Sequence, residues 1–106
     1  MNDCIFCKIV KREIDSDIVH ETPNFLVFKD AHPKSNIHLL IVPKTHIEDL
    51  RTAPKEIWSE VQDIALVLEK QNELDGFSLV TNTGERALVK HMHVHFVDKI
   101  NRQEGY

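Results

Sequence analysis

The sequence predicts an α+β domain: an antiparallel sheet of about five strands with one long helix packed on a face and a short N-terminal helix. Three observations carry that prediction. From Pro54 to Leu74, the apolar residues Ile57, Trp58, Val61, Ile64, Ala65 and Leu68 recur at spacings of one, three and four, the stripe of a helix facing a sheet. On either side of it lie short apolar runs of strand length, separated by turn-forming residues. With 106 residues, 42% apolar and 28% charged, the chain suffices for a single domain over 1–106. A core that modest makes burial against a partner subunit a natural supplement.

The elements follow in order. Cys4 to Lys11 places Ile5, Phe6 and Ile9 at helix-like spacing and predicts a short helical turn. Asp17–Glu21 and Asn24–Lys29 read as strands joined by the turn chemistry of Thr22-Pro23-Asn24. A polar loop from Asp30 to Asn36 leads into Ile37–Val42, an apolar strand that Pro43 closes. Thr45-x-x-Glu48 reads as a capping box, so a short helix is expected to start at His46. Pro54 suits the first turn of the long helix, and Gly76 is expected to end it. Phe77–Thr81 is a strand, residues 82–86 a turn-like loop, and His91–Val97 the last strand. The polar tail from Asp98 to Tyr106 is expected to be poorly ordered.

Charge and composition narrow the function. The net charge is −4 with no basic block, so nucleic acid is an unfavoured partner. No apolar run approaches membrane-spanning length, and the N-terminus lacks the apolar core of a signal peptide; a cytosolic location is expected. There, Cys4 and Cys7 read as thiols or metal ligands rather than a disulfide.

Histidine is over-represented, with seven in the chain. In His91-Met92-His93-Val94-His95-Phe96-Val97, strand alternation sends Met92, Val94 and Phe96 to the core and the three histidines to the other face. Packing does not explain such a face, because every ring carries nitrogens that need partners. Two chemistries remain. Neutral imidazoles at alternate positions can converge on a metal, as in a three-histidine zinc site. Alternatively, one imidazole is a nucleophile whose other nitrogen is fixed by an acceptor, with a second histidine serving the phosphate oxygens or the leaving group.

The segment HMHVHFV resembles the signature of the histidine-triad (HIT) family, in which three histidines alternate with apolar residues. The resemblance runs over nearly the whole chain. CIFCKIV resembles the family's N-terminal segment, FLVFKD its first hairpin, HLLIVPKTHI its central strand with Pro-Lys-x-His, and Asn82-Thr83-Gly84 its Asn-x-Gly. The likeness is to the Hint-like branch of nucleotide hydrolases and transferases. It implies a cleavage at phosphorus in a purine nucleotide, a nucleoside phosphoramidate or a dinucleoside polyphosphate, through a covalent nucleotidyl-histidine. By position, His93 would be the nucleophile, the His91 carbonyl would orient it, His95 would contact the phosphate, and His38 would complete the cluster. Asn82 would contact the α-phosphate, Asp30 the ribose, and Ile5, Phe6, Ile9, Phe28 and Leu40 the base. Many relatives are homodimers. The chain departs from relatives that carry Gly-Gln-Ser or Gly-Gln-Thr before the triad; here a shorter Ala87-Leu88-Val89-Lys90 stands instead. Lys90 is a candidate to replace some positive charge, although alternation with His91 would aim it elsewhere. A nucleotide-binding or scaffold protein with little turnover is the alternative this departure raises.

Cys4-x-x-Cys7 has the spacing of half a tetrahedral zinc site. Bacterial relatives that begin Cys-apolar-apolar-Cys hold a structural zinc with two cysteines and two histidines, and the matching positions are Cys4, Cys7, His46 and His91. A regular strand would point His91 the same way as His93, so this set requires the strand to begin irregularly. Bland readings suffice elsewhere: Lys34 is expected to be a surface charge, and Glu48, Asp49, Glu56, Glu60 and Asp63 a solvated helix surface.

Overall fold

The computed structural model describes residues 4–99. Its elements are α1 (Ile5–Val10), β1 (Ile18–Glu21), β2 (Phe25–Lys29), β3 (His38–Pro43), a 3-10 turn at Leu50–Thr52, α2 (Ile57–Gln71), β4 (Ser78–Val80), a second 3-10 turn at Gly84–Arg86, and β5 (Val94–Val97). All five strands pair antiparallel in the order β1-β2-β3-β5-β4, so the expected α+β sheet is present. The last strand in sequence lies inside the sheet, between β3 and β4, which places its side chains under both helices rather than at an edge.

The two faces of the sheet are covered by different helices. On one, Phe25, Val27, Leu39, Ile41, Met92, Val94 and Phe96 meet the α2 stripe of Ile57, Val61, Ile64, Ala65 and Leu68. On the other, Leu26, Phe28, Leu40 and Val42 meet Phe6 and Ile9 of α1. Residues 25–28 and 38–43 are therefore buried throughout, which is why those strands read as continuous apolar runs without alternation. Six residues of helix are marginal alone, so α1 depends on this packing and on its cap: the Cys4 sulfur accepts from the Cys7 N–H at 3.4 Å.

Four local expectations are corrected. No helix starts at His46; residues 46–48 form no helix or strand before Asp49 caps the Leu50–Thr52 turn, with its side chain accepting from the Arg51 N–H. α2 begins at Ile57 rather than Pro54, whose carbonyl instead accepts from the Ile57 N–H at 3.1 Å. It ends at the Asn72 cap, followed by Glu73 at φ 54°, ahead of Gly76. β5 begins at Val94, three residues later than expected. Of the tail, residues 100–106 lie outside the described residues, while Asp98 is held by Ile37: the Asp98 N–H donates to the Ile37 carbonyl at 3.2 Å and its carboxylate accepts from the Ile37 N–H at 3.1 Å.

Candidate functional site

The histidines gather on the α1 face, where β3 and β5 run side by side. The register pairs Leu40 with His95 and His38 with Val97, making His38 and His95 diagonal neighbours with ring centroids 5.1 Å apart. The His93 and His95 rings are also 5.1 Å apart, and the Phe6 ring meets His93 edge-on at 5.0 Å. His93 is 7% exposed and His38 4%, while His95 is half-buried.

Hydrogen bonds fix the tautomers. His93 Nδ1 lies 2.8 Å from the His91 carbonyl oxygen, which can only accept. Nδ1 therefore carries the proton, and Nε2 of the neutral ring keeps the lone pair a nucleophile needs. The Thr81 hydroxyl donates to the His93 carbonyl at 2.9 Å and ties this backbone to the end of β4. At His38, Nδ1 accepts from the Lys34 N–H at 3.0 Å, so the proton sits on Nε2. From there it is directed at His95 Nδ1, 2.9 Å away, with the Asp30 carboxylate at 3.3 Å. His95 in turn holds its proton on Nε2. Burial lowers the pKa of His38 and of His93 below the ordinary imidazole range. It pushes His95 down to about 4, with the neighbouring His93 and His38 adding to the effect. The cluster is thus neutral at pH 7: one lone pair and one N–H donor side by side.

His91 lies apart, because residues 91–93 precede the paired strand. Its ring is fully buried and turned towards α1, where the Cys4, Cys7, His46 and His91 ligand atoms all lie within 4.8 Å of one another. His91 Nδ1 is 3.3 Å from the Cys4 sulfur and 3.5 Å from the Cys7 sulfur, and His46 Nδ1 is 3.3 Å from the Cys7 sulfur. In tetrahedral zinc sites the ligand-to-ligand edges run about 3.3–3.8 Å, given Zn–S near 2.3 Å and Zn–N near 2.0–2.1 Å. The His91 Nε2–H donates to the Pro43 carbonyl at 2.8 Å, which leaves the Nδ1 lone pair facing the sulfurs. These four residues can hold a metal ion. Asp30, His38 and His95 also converge closely, but they differ in one respect. With Nδ1 accepting from Lys34, neutral His38 has its proton on the nitrogen that would have to bind the metal. That group forms a hydrogen-bond chain, and among the described residues the three triad imidazoles do not converge as one ligand set, since His91 joins the cysteines.

The remaining expected residues divide. Phe6, Ile9, Phe28 and Leu40 form one buried cluster beside His93, whereas Ile5 is 46% exposed and outside it. Asp30 is partly buried and accepts from the His32 N–H at 2.8 Å. Asn82 lies two residues beyond β4, whose register, carried on, brings it level with His93. A cavity of about 430 Å³ opens towards α2, lined by Val19, Lys29, Leu39, Leu68 and Gln71; Asp30 and His38 border it, and His93 does not.

Sequence reasoning missed Asp49. Instead of a solvated helix surface it is 2% exposed, and its carboxylate accepts from the Arg51 guanidinium and from the N–H groups of Arg51 and Gly84. The guanidinium bond, more than any other contact, lowers its pKa to about 2. The available signal was an aspartate at a cap position two residues before an arginine. Lys90 turns away from the triad, its ammonium donating to the carbonyls of Gly84 and Ala87.

Comparison with known proteins agrees with this geometry. The HIT domain model matches residues 11–101. The chain is 38% identical over 104 residues to adenosine 5'-monophosphoramidase of Saccharomyces cerevisiae, covering 96% of this chain but only 66% of the yeast protein. It is 33% identical to an adenylylsulfatase of Arabidopsis thaliana, covering 95% of this chain and 54% of the plant protein. The 0.95 Å structure of a histidine triad protein from Clostridium difficile superposes with a TM-score of 0.88 at 34% identity, covering 95% of this chain and 94% of the other.

Proposed function

The chain belongs to the HIT domain family, and from that premise we propose that it hydrolyses a phosphorus bond of a purine nucleotide through a covalent intermediate on His93. The observation that carries this reading is the 2.8 Å bond from His93 Nδ1 to the His91 carbonyl, which leaves Nε2 as a neutral nucleophile. In the first step Nε2 attacks the α-phosphorus. The bond to the leaving amine or phosphate breaks, and the leaving group departs with that electron pair and takes a proton from water. In the second step water displaces His93 and releases the nucleoside monophosphate. His95 serves the phosphate as a neutral Nε2–H donor, oriented by His38. Asn82 contacts the phosphate, Asp30 the ribose, and Phe6, Ile9, Phe28 and Leu40 wall the base. The yeast monophosphoramidase and the plant adenylylsulfatase both support a nucleotide substrate of this kind.

The test is mass spectrometry of the protein mixed with adenosine phosphoramidate. A transient adenylyl adduct on His93 is expected, and His93→Ala should lower turnover about 10²–10⁴-fold or more with AMP affinity retained. Undiminished turnover in that variant removes the nucleophile. Lys90, bonded to backbone rather than aimed at the site, favours a second reading, a nucleotide-binding protein with little turnover. Tight AMP binding with hydrolysis near background would establish that one.

Three further assignments belong to the same proposal. Cys4, Cys7, His46 and His91 hold a structural zinc ion, which the soft sulfur and imidazole donor set suits and which the chemistry at His93 does not require. The chain works as a homodimer, supported by the exposed Leu66 and Val67 on α2 and Leu79 on the edge strand β4; sedimentation velocity at twice the chain mass checks it. A cytosolic location accords with a thiol pair kept reduced.

A further inference from the structure

Gly84 is held by opposite charges on its two sides. Its N–H donates to the buried Asp49 carboxylate at 3.1 Å, and its carbonyl accepts from the Lys90 ammonium, which also bonds the Ala87 carbonyl at 2.8 Å. Arg51 completes the grip. Its Nη2 lies 2.8 Å from Asp49, and the guanidinium packs beside Gly84, 3.4 Å from where a Cβ would stand. With φ at +67°, Gly84 sits in the left-handed region that favours glycine. The segment that supplies Asp49 also braces the far end of the same loop: the Ile47 carbonyl accepts from the Met92 N–H at 2.6 Å. The whole of 82–92 is thus suspended between fixed points. Its first residue, Asn82, lies one residue past Thr81, which is bonded to the His93 carbonyl.

We infer that Asp49 and Lys90 are positioning residues for Asn82, gripping the Gly84 peptide so that the loop presents its amide to the phosphate. This rests on the proposed phosphate role of Asn82. It accounts for what the short Ala87–Lys90 segment does: the lysine stiffens the loop from behind instead of meeting the substrate. A charge acting directly on the phosphate and a charge acting through Asn82 differ in additivity.

The experiment measures AMP and adenosine affinities by titration calorimetry, with thermal melting as a check on folding. The ratio of the two affinities isolates the phosphate contribution. Lys90→Met is expected to cut that ratio about fivefold while adenosine binding stays within about twofold, the size of one ordinary hydrogen bond. Lys90→Arg should restore most of it, and Asp49→Asn should act in the same direction as Lys90→Met. In the Asn82→Ala background, Lys90→Met should cost nothing further. An unchanged ratio in Lys90→Met and Asp49→Asn, equal losses for AMP and adenosine, or full additivity with Asn82→Ala would each overturn the inference and leave the enzyme reading intact. A wild-type protein that binds AMP no better than adenosine would instead remove the phosphate site, and the positioning role with it.

Discussion

At the scale of single residues, His91 is constrained twice, because its ring and its carbonyl work in different places. The ring joins the cysteines, and the carbonyl sets the His93 tautomer at 2.8 Å. Substitution separates the two, since any side-chain change leaves a carbonyl in the backbone. On the proposed zinc assignment, native protein purified without added metal should carry one zinc equivalent by atomic emission, and His91→Gln and Cys7→Ser should each abolish it. Retention of a full equivalent in Cys7→Ser would remove the cluster as the metal site. Because structural metal binding contributes folding free energy, both variants should also melt earlier. The alternation of His91, His93 and His95 was plain in the sequence. That the first would turn from the other two was only a condition attached to the zinc set, because pattern alone cannot say where pairing begins.

At the scale of elements, what the sequence disclosed depended on how much of each element is decided locally. The α2 stripe was legible because a single face meets the sheet, and Met92, Val94 and Phe96 enter the core as their alternation required. The His46 helix failed for the opposite reason. Thr45-x-x-Glu48 offers a local cap, but the His46 ring reaches Cys7, the Ile47 carbonyl takes the Met92 N–H, and the Asp49 carboxylate takes the Gly84 N–H. Three contacts to distant parts of the chain keep this stretch out of a helix, and they outweigh a capping preference of about 1 kcal/mol. The same competition delays β5: the Met92 N–H is taken by the Ile47 carbonyl, the His91 carbonyl by the His93 ring and the His93 carbonyl by the Thr81 hydroxyl, so regular pairing starts only at Val94. Asp49 was misread for this reason too, since beside Arg51 its carboxylate also takes the Gly84 N–H, 35 residues away in the chain.

For the whole molecule, burying a neutral histidine cluster makes stability depend on pH in a direction that can be worked out. His38 and His95 face Asp30, Lys34 and His93. Burial is the largest influence on both, and it lowers their proton affinity in the fold. The unfolded chain takes up these protons near the ordinary value of about 6.5, while folded His95 declines its own until about 4. Between those values the unfolded state binds more protons, so stability rises with pH. It is complete above about pH 6.5 and is lost progressively as pH falls towards 4. Asp49 adds a second, lower window: held to about 2 by Arg51, it contributes above its unfolded value and loses that contribution as acid protonates it. The melting temperature should therefore be flat from pH 8 to 7 and decline below about 6.5. Acid would also strip any metal from the cysteines, so native protein and His95→Gln are compared side by side. The variant lacks one titrating ring and keeps the cysteine cluster, and its curve should fall less steeply between pH 6.5 and 4 than the native one. Parallel curves would mean that His95 takes up its proton in the fold as readily as in the open chain, and its role as a neutral Nε2–H donor at neutral pH would lose this support.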